Sequence, residues 1–201
     1  MLFRSYMGED TASRIAWGVV LDGEASDLED WQEALKHPFD PWVMATEGEL
    51  ILRSSLLDPT TTSSEAYEIA RVLMEQVNGA LGVSHRARVV RLGGLAELLS
   101  DGTRRPHVFA QFGVVEMGDK ARAVVVALGP NGKPKPTPPP EPSNPQRWLS
   151  IAAEDDLLAD ALTYFARGDG WFDIFKALEC LFLRFGGGEK EFLDLSWADA
   201  G

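Results

Sequence analysis

Over the first 128 positions, runs of aliphatic and β-branched residues are mixed with apolar residues at helical spacing. Beyond a proline-rich stretch only the helical spacing remains. Residues 14–23, "RIAWGVVLDG", form a β-rich run closed by Asp22-Gly23, which predicts a strand. Residues 26–36 predict a short helix with Ser26 as its cap. Residues 41–55 hold two apolar runs around Glu47-Gly48, the pattern of a hairpin. Over 63–82, Ala66, Ile69, Ala70, Leu73, Met74 and Val77 recur on one helical face, and Asn78-Gly79 reads as the stop. Three strand candidates follow, at 87–95, 107–117 and 121–128, the last two joined by a Gly118-Asp119 turn. This order does not alternate as a doubly wound sheet does. It predicts an α+β fold: a mainly antiparallel sheet with one long packing helix, followed by a small all-α module.

The expected domain organisation is an α+β domain at 1–128, a linker at 129–147 and a helical hairpin module at 148–201. Eight of the twelve prolines fall between residues 129 and 148. Proline fixes φ and cannot donate a backbone hydrogen bond, so this stretch is expected to be extended rather than helical or sheet-like. Pro136 and Pro139 form a PxxP, for which a plain linker is the simpler reading.

After the linker, residues 154–168 predict a helix with Glu154, Asp155 and Asp156 in its first turn, where negative charge complements the helix dipole. The glycines of "RGDG" then break the chain. Residues 171–185 form the second arm, and a short third helix is expected at 189–197.

The second arm is unusual. Its polar residues Asp173, Lys176, Glu179 and Arg184 gather within roughly 140° of arc. Trp171, Phe172, Ile174, Phe175, Leu178, Leu181, Phe182, Leu183 and Phe185 occupy most of the rest. A surface helix needs an apolar stripe only about 100° wide, so a single neighbouring helix cannot cover this one. The third helix, the N-terminal domain or another chain must cover the remainder. Trp171, Phe172, Phe175, Phe182 and Leu183 are therefore the expected partner surface.

Charge narrows the choice of partner. The net charge is −12. Residues 1–80 carry 5 basic against 15 acidic side chains, whereas residues 81–128 carry 7 against 4. The balance argues against a general nucleic-acid binder or an anionic-membrane binder, both of which must neutralise phosphates. The basic middle segment is expected to face the acidic first one. Arg86, Arg88 and Arg91, with Arg104, Arg105 and His107, form the best candidate binding patch, against the simpler reading of a charged edge strand. Cys180 is the only cysteine, no leader-like apolar core opens the chain, and no apolar run approaches the roughly 18 residues of a membrane span. These features read as a soluble cytoplasmic protein.

Motifs for chemistry are scarce. "FGGGEK" at 185–190 lacks the GxxxxGK[ST] spacing of a phosphate loop and follows a helix. No CxxC, HExxH or GxSxG occurs, and His37, His85 and His107 lie far apart in sequence. Cys180 sits in the apolar helix as a small packed hydrophobe. No catalytic residue, metal ligand or cofactor site is nominated. "HPFDPW" at 37–42 is an aromatic-proline loop suited to plugging a core or to recognition.

Two resemblances add to this reading. "ALTYFARGDGWFDIFKALE", residues 161–179, resembles a pattern in uncharacterised bacterial proteins: an amphipathic helix, a polar turn, then Trp-x-x-[LIF]-[YF]-Lys-x-x-Glu. Trp171, Ile174, Phe175, Lys176 and Glu179 are the matching positions. "WGVVLDGEASDLEDW", "LILRSS" and "VNGAL" occur in the same order as in that family, so the likeness spans most of the chain. It implies an N-terminal α+β domain with a C-terminal helical module and attaches no activity. Proteins of this pattern run on into further helical, basic, His-containing sequence. Such a segment, if it follows Gly201 in the natural chain, would cover the apolar helix.

The hairpin is also similar to HEPN-type ribonuclease modules. Their motif sets His four to six residues after Arg, and no His here has an Arg at that spacing before it. The expectation is a non-enzymatic interaction protein that binds a protein partner or itself. The alternatives are an RNA- or nucleotide-acting enzyme, or its inactive remnant, of a mobile-element or defence type, and an inhibitor protein using the acidic 1–80 region.

Overall fold

A computed structural model describes residues 12–46, 48–85, 89–107, 139–168, 170–187 and 190. The strand candidates beyond His107, the Gly118-Asp119 turn, linker residues 129–138 and the expected helix at 189–197 lie outside them. The fold is α+β. Among the described residues, five antiparallel strands form one sheet in the order β2-β3-β1-β4-β5. They are β1 (Arg14–Asp22), β2 (Trp42–Thr46), β3 (Glu49–Arg53), β4 (Arg91–Leu99) and β5 (Arg104–His107). The helices are α1 (Ala25–Ala34), α2 (Ser63–His85), α3 (Asn144–Ala152), α4 (Asp156–Arg167) and α5 (Trp171–Arg184).

One row across the sheet shows how alternation builds the core. Val43 pairs with Leu52, Leu52 with Val19, Val19 with Leu95, and Leu95 with His107. Side chains opposite one another share a face, so this row places four aliphatic residues side by side, each buried. The long helix α2 lies over them with Ala66, Ala70, Leu73, Met74, Val77, Ala80 and Leu81 buried at helical spacing. Its start is fixed by Thr62 and Glu65: the Glu65 amide donates to Thr62 Oγ1 at 3.2 Å, and the Thr62 amide donates to the Glu65 carboxylate at 3.3 Å.

The helix does not stop at Asn78-Gly79; it runs on to His85. Both residues have other work. Asn78 Nδ2 donates to the Val90 carbonyl, and the Val90 amide donates to Asn78 Oδ1, each at 2.8 Å. This pair ties the approach to β4 onto α2. Gly79 faces the backbone of α4, where a Cβ would stand 1.9 Å from the Leu162 carbonyl oxygen. The glycine is there for close helix crossing, which outweighs its weak helix propensity.

Other boundaries also shift. Helix α1 has Glu24 rather than Ser26 at its N-cap and makes no side-chain cap bond. Residues 144–147, expected to be extended, open α3 instead. Ser143 and Gln146 form a reciprocal capping box, with proline at the helix start. Proline is harmless there because the first helical amides lack intrahelical partners in any case. Asp155 is the N-cap of α4, outside the helix rather than in its first turn, and accepts from the Leu158 amide at 3.2 Å.

Helices α3 and α4 pack on α2, and α5 packs along α4. Leu149, Ala152 and Leu162 belong to the same apolar cluster as Trp17, Trp31 and Leu95. The core therefore runs unbroken from the sheet through α2 into α4.

Candidate protein-interaction surface

Among the described residues helix α5 is the last layer, and its two sides differ sharply. Ala177 is its one buried residue. Around Ala177 the chain is tied back to α4 by Arg184, whose guanidinium donates to the Asp155 carboxylate at the α4 N-cap. Hydrogen bonds from the Leu158 amide and Arg184 hold the Asp155 carboxyl below the usual range, against an opposing desolvation by burial that is the largest single influence. The neighbour thus sits over the Ala177 side of α5, with Ile174 and Leu181 half-buried beside it, and much of the aromatic arc faces away. Trp171 is 80% exposed, Phe172 67%, Leu183 55% and Phe175 53%. Phe182 is half-buried. Lys176 and Glu179 lie on the same outward side, paired at 2.6 Å, and Lys176 Nζ also stands 5.9 Å from the centre of the Phe172 ring. The Glu179 hydrogen bond and charge raise Lys176 above the ordinary lysine value. Burial, with Asp160 and Glu179 nearby, raises the Cys180 thiol, which keeps it protonated at neutral pH.

The basic residues do not converge in the same way. Arg86 and Arg88 lie outside the described residues. Arg91 begins β4 opposite Asp22. Arg104 and Arg105 lie opposite Leu98 and Glu97, six to seven positions further along β4 and so about 20 Å away. Arg104 is paired with Glu49 from the acidic first segment, and Arg105 with Glu97 at 3.1 Å. His107 Nε2 is 3.2 Å from the same Glu97 carboxylate, with its ring edge-on to Trp17. These groups form an ion-paired sheet edge.

The proline-aromatic loop at 37–42 is held by Gln146. Its buried carboxamide nitrogen lies within 3.0 Å of the Lys36, Phe39 and Pro41 carbonyls, and its oxygen accepts from the Ser143 amide. Asp40 accepts from the Ser55 amide and from the hydroxyls of Ser54 and Ser55. A groove of about 550 Å³ runs between this loop and α3, lined by Pro38, Phe39, Pro142 and Ile151. Of the polar groups beside it, Asp40 and Gln146 are engaged in holding the loop and Arg147 is paired with Glu141 at 3.0 Å, which does not make the convergent set a small-molecule site needs. Among the described residues, no group of three or more His, Cys, Asp or Glu is placed to hold a metal, and no helix is long and apolar enough to cross a membrane.

The width of the apolar arc was legible from helical spacing; which of its residues stay exposed was not. The Gln146 latch was not, although Ser143-x-x-Gln146 ahead of an apolar run is a capping-box signature that would have found the start of α3. Against known proteins, the chain matches no family model, no curated protein and no solved structure.

Proposed function

We propose that this chain is a non-enzymatic, cytoplasmic interaction protein that binds a protein partner, or a second copy of itself, through the outward face of α5. One observation carries the reading: four large apolar side chains on that helix, Trp171, Phe172, Phe175 and Leu183, are each more than half exposed. Leaving such a side chain in water forgoes roughly 1.5–3 kcal/mol. Contiguous exposed apolar surface on a soluble protein marks an interaction site, and aromatic residues are the usual anchors. The test is size-exclusion chromatography with light scattering, alongside co-purification, on the full chain and on Trp171→Ser/Phe175→Ser. Association that disappears in the variant, with the melting temperature unchanged, is the expected result. A chain that stays monomeric and recruits nothing through an intact α5 overturns the proposal.

A further inference from the structure

The order of side chains along the exposed stripe of α5 says more about what covers it. At about 100° per residue, Phe172, Lys176, Glu179 and Leu183 fall within about 60° of one another. All four lie on the outward side. Phe172 and Leu183 are mostly exposed, and the Lys176 and Glu179 side chains are 36% and 46% exposed. The helix spans Trp171–Arg184, and these four residues are placed symmetrically about its midpoint. Lys176 and Glu179 are equally far from the centre on either side, and so are Phe172 and Leu183. The stripe therefore reads apolar, cation, anion, apolar from either end, with the sign of charge reversed.

A two-fold axis through the midpoint, perpendicular to the helix, turns that pattern onto its own complement. Each Lys176 meets the copy's Glu179, and each Phe172 meets the copy's Leu183. Trp171 and Phe175 flank the contact. Resting on the interaction reading above, we infer that the occupant of this face is a second copy of the same chain, with the two α5 helices packed antiparallel about a two-fold axis. An interface of this kind is isologous, so one patch must complement itself. A stripe of uniform charge could not do so. The net charge of −12 opposes association at long range, and the local cation–anion exchange with apolar ends offsets it at contact.

The test uses charge reversal and mixing in the full chain. Sedimentation equilibrium over a wide concentration range is expected to show a monomer–dimer equilibrium. Lys176→Glu gives a chain with two anions in the stripe, and Glu179→Lys gives one with two cations. Each alone is expected to weaken dimerisation by at least about tenfold. An equimolar mixture of the two is expected to form a heterodimer of near wild-type affinity. Loss of the Lys176–Glu179 pair within one helix would not be rescued by mixing, so rescue separates the contact between copies from a local structural role. Dimers of unchanged affinity in both single variants, or a mixture that stays dissociated, overturn the inference. A wild-type chain that is monomeric throughout also overturns it. In that case, a protein that co-purifies with the intact chain and is lost in Phe175→Ser leaves the partner reading standing, and a monomer that recruits nothing removes that reading too.

Discussion

Helices α2 and α5 are both rich in apolar residues, yet the fold treats them differently. Helix α2 lies between the sheet on one side and α3 and α4 on the other, and eight of its residues are buried. Among the described residues, helix α5 has a neighbour on one side and buries Ala177. The difference does not come from hydrophobicity, because α5 carries the larger side chains. It comes from position in the stack of layers. The interior helix α2 buries small residues, Ala66, Ala70 and Gly79, the last where α4 crosses it, while α5 presents aromatics where no described element meets them. Burial of small residues reads as packing, and exposure of large ones reads as an unfilled contact.

The comparison breaks most readily in the interior. Leu52 and Leu95 are fully buried on the sheet face under α2. Truncating either to alanine is expected to cost about 2–5 kcal/mol, through lost transfer energy and the cavity left behind. Phe175→Ala on α5 is expected to change the stability of the isolated chain by no more than about 0.5 kcal/mol, as for surface positions generally. Urea unfolding followed by tryptophan fluorescence measures both. Equal losses at the two sites would show that α5 is covered in solution.

Gly79 sharpens the contrast at the joint between layers. Gly79→Ala puts a methyl group into the Leu162 carbonyl, and neither backbone can move without lifting α4 from α2. The expected cost is about 1–3 kcal/mol, as for overpacking a well-filled contact. On an ordinary helix surface the same change would be stabilising, because alanine is the better helix former. A thermal melt of the variant gives the sign directly.

That position also shows how far the sequence could be read. Residues 63–82 announce a helix through Ala66, Ala70, Leu73 and Val77, and that helix forms. Asn78-Gly79 carries the local signature of a stop, because glycine is the favoured residue just past a helix end. What overrides it is a partner about 80 residues away, invisible to any local window. The α5 surface was legible for the opposite reason. Its excess of apolar arc is a property of one segment, countable without knowing what lies beside it. Which side α4 would take was not legible, since it rests on Ala177 being buried and on Arg184 meeting Asp155 at the open end of the hairpin. The Arg86–Arg105 run differs in a third way, since Arg86 and Arg88 lie outside the described residues. Nearness in sequence does not bring Arg91 and Arg105 together when both sit on extended chain near opposite ends of paired strands.

Gln146 tests whether α3 belongs with the interior. Its carboxamide serves three carbonyls of the 36–41 loop from a buried position. Gln146→Leu fills similar space but strands those carbonyls, at an expected cost of about 1–3 kcal/mol. Hydrogen exchange should show a faster amide at Ser55 as well, because Asp40, which accepts from that amide, sits in the released loop.

The smallest effect concerns the tether between α4 and α5. Asp155→Asn keeps an acceptor for the Leu158 amide, since asparagine caps helices well. It removes only the charge facing Arg184. The folded-state pKa of Asp155 lies below the ordinary aspartate value. A depressed carboxylate contributes stability that is present above the unfolded pKa and lost as pH falls through the folded one. The wild-type melting temperature is therefore expected to exceed that of Asp155→Asn slightly at neutral pH, and the gap should close below about pH 4. Added salt should narrow the gap at neutral pH, because the pair is partly exposed. A gap that persists unchanged into acid would assign the stabilisation to the cap alone. Helix α5 would then be held to α4 by Ala177 and its apolar neighbours without help from charge. That outcome would leave α5 freer to turn its aromatic face toward a partner than the Arg184 tether allows.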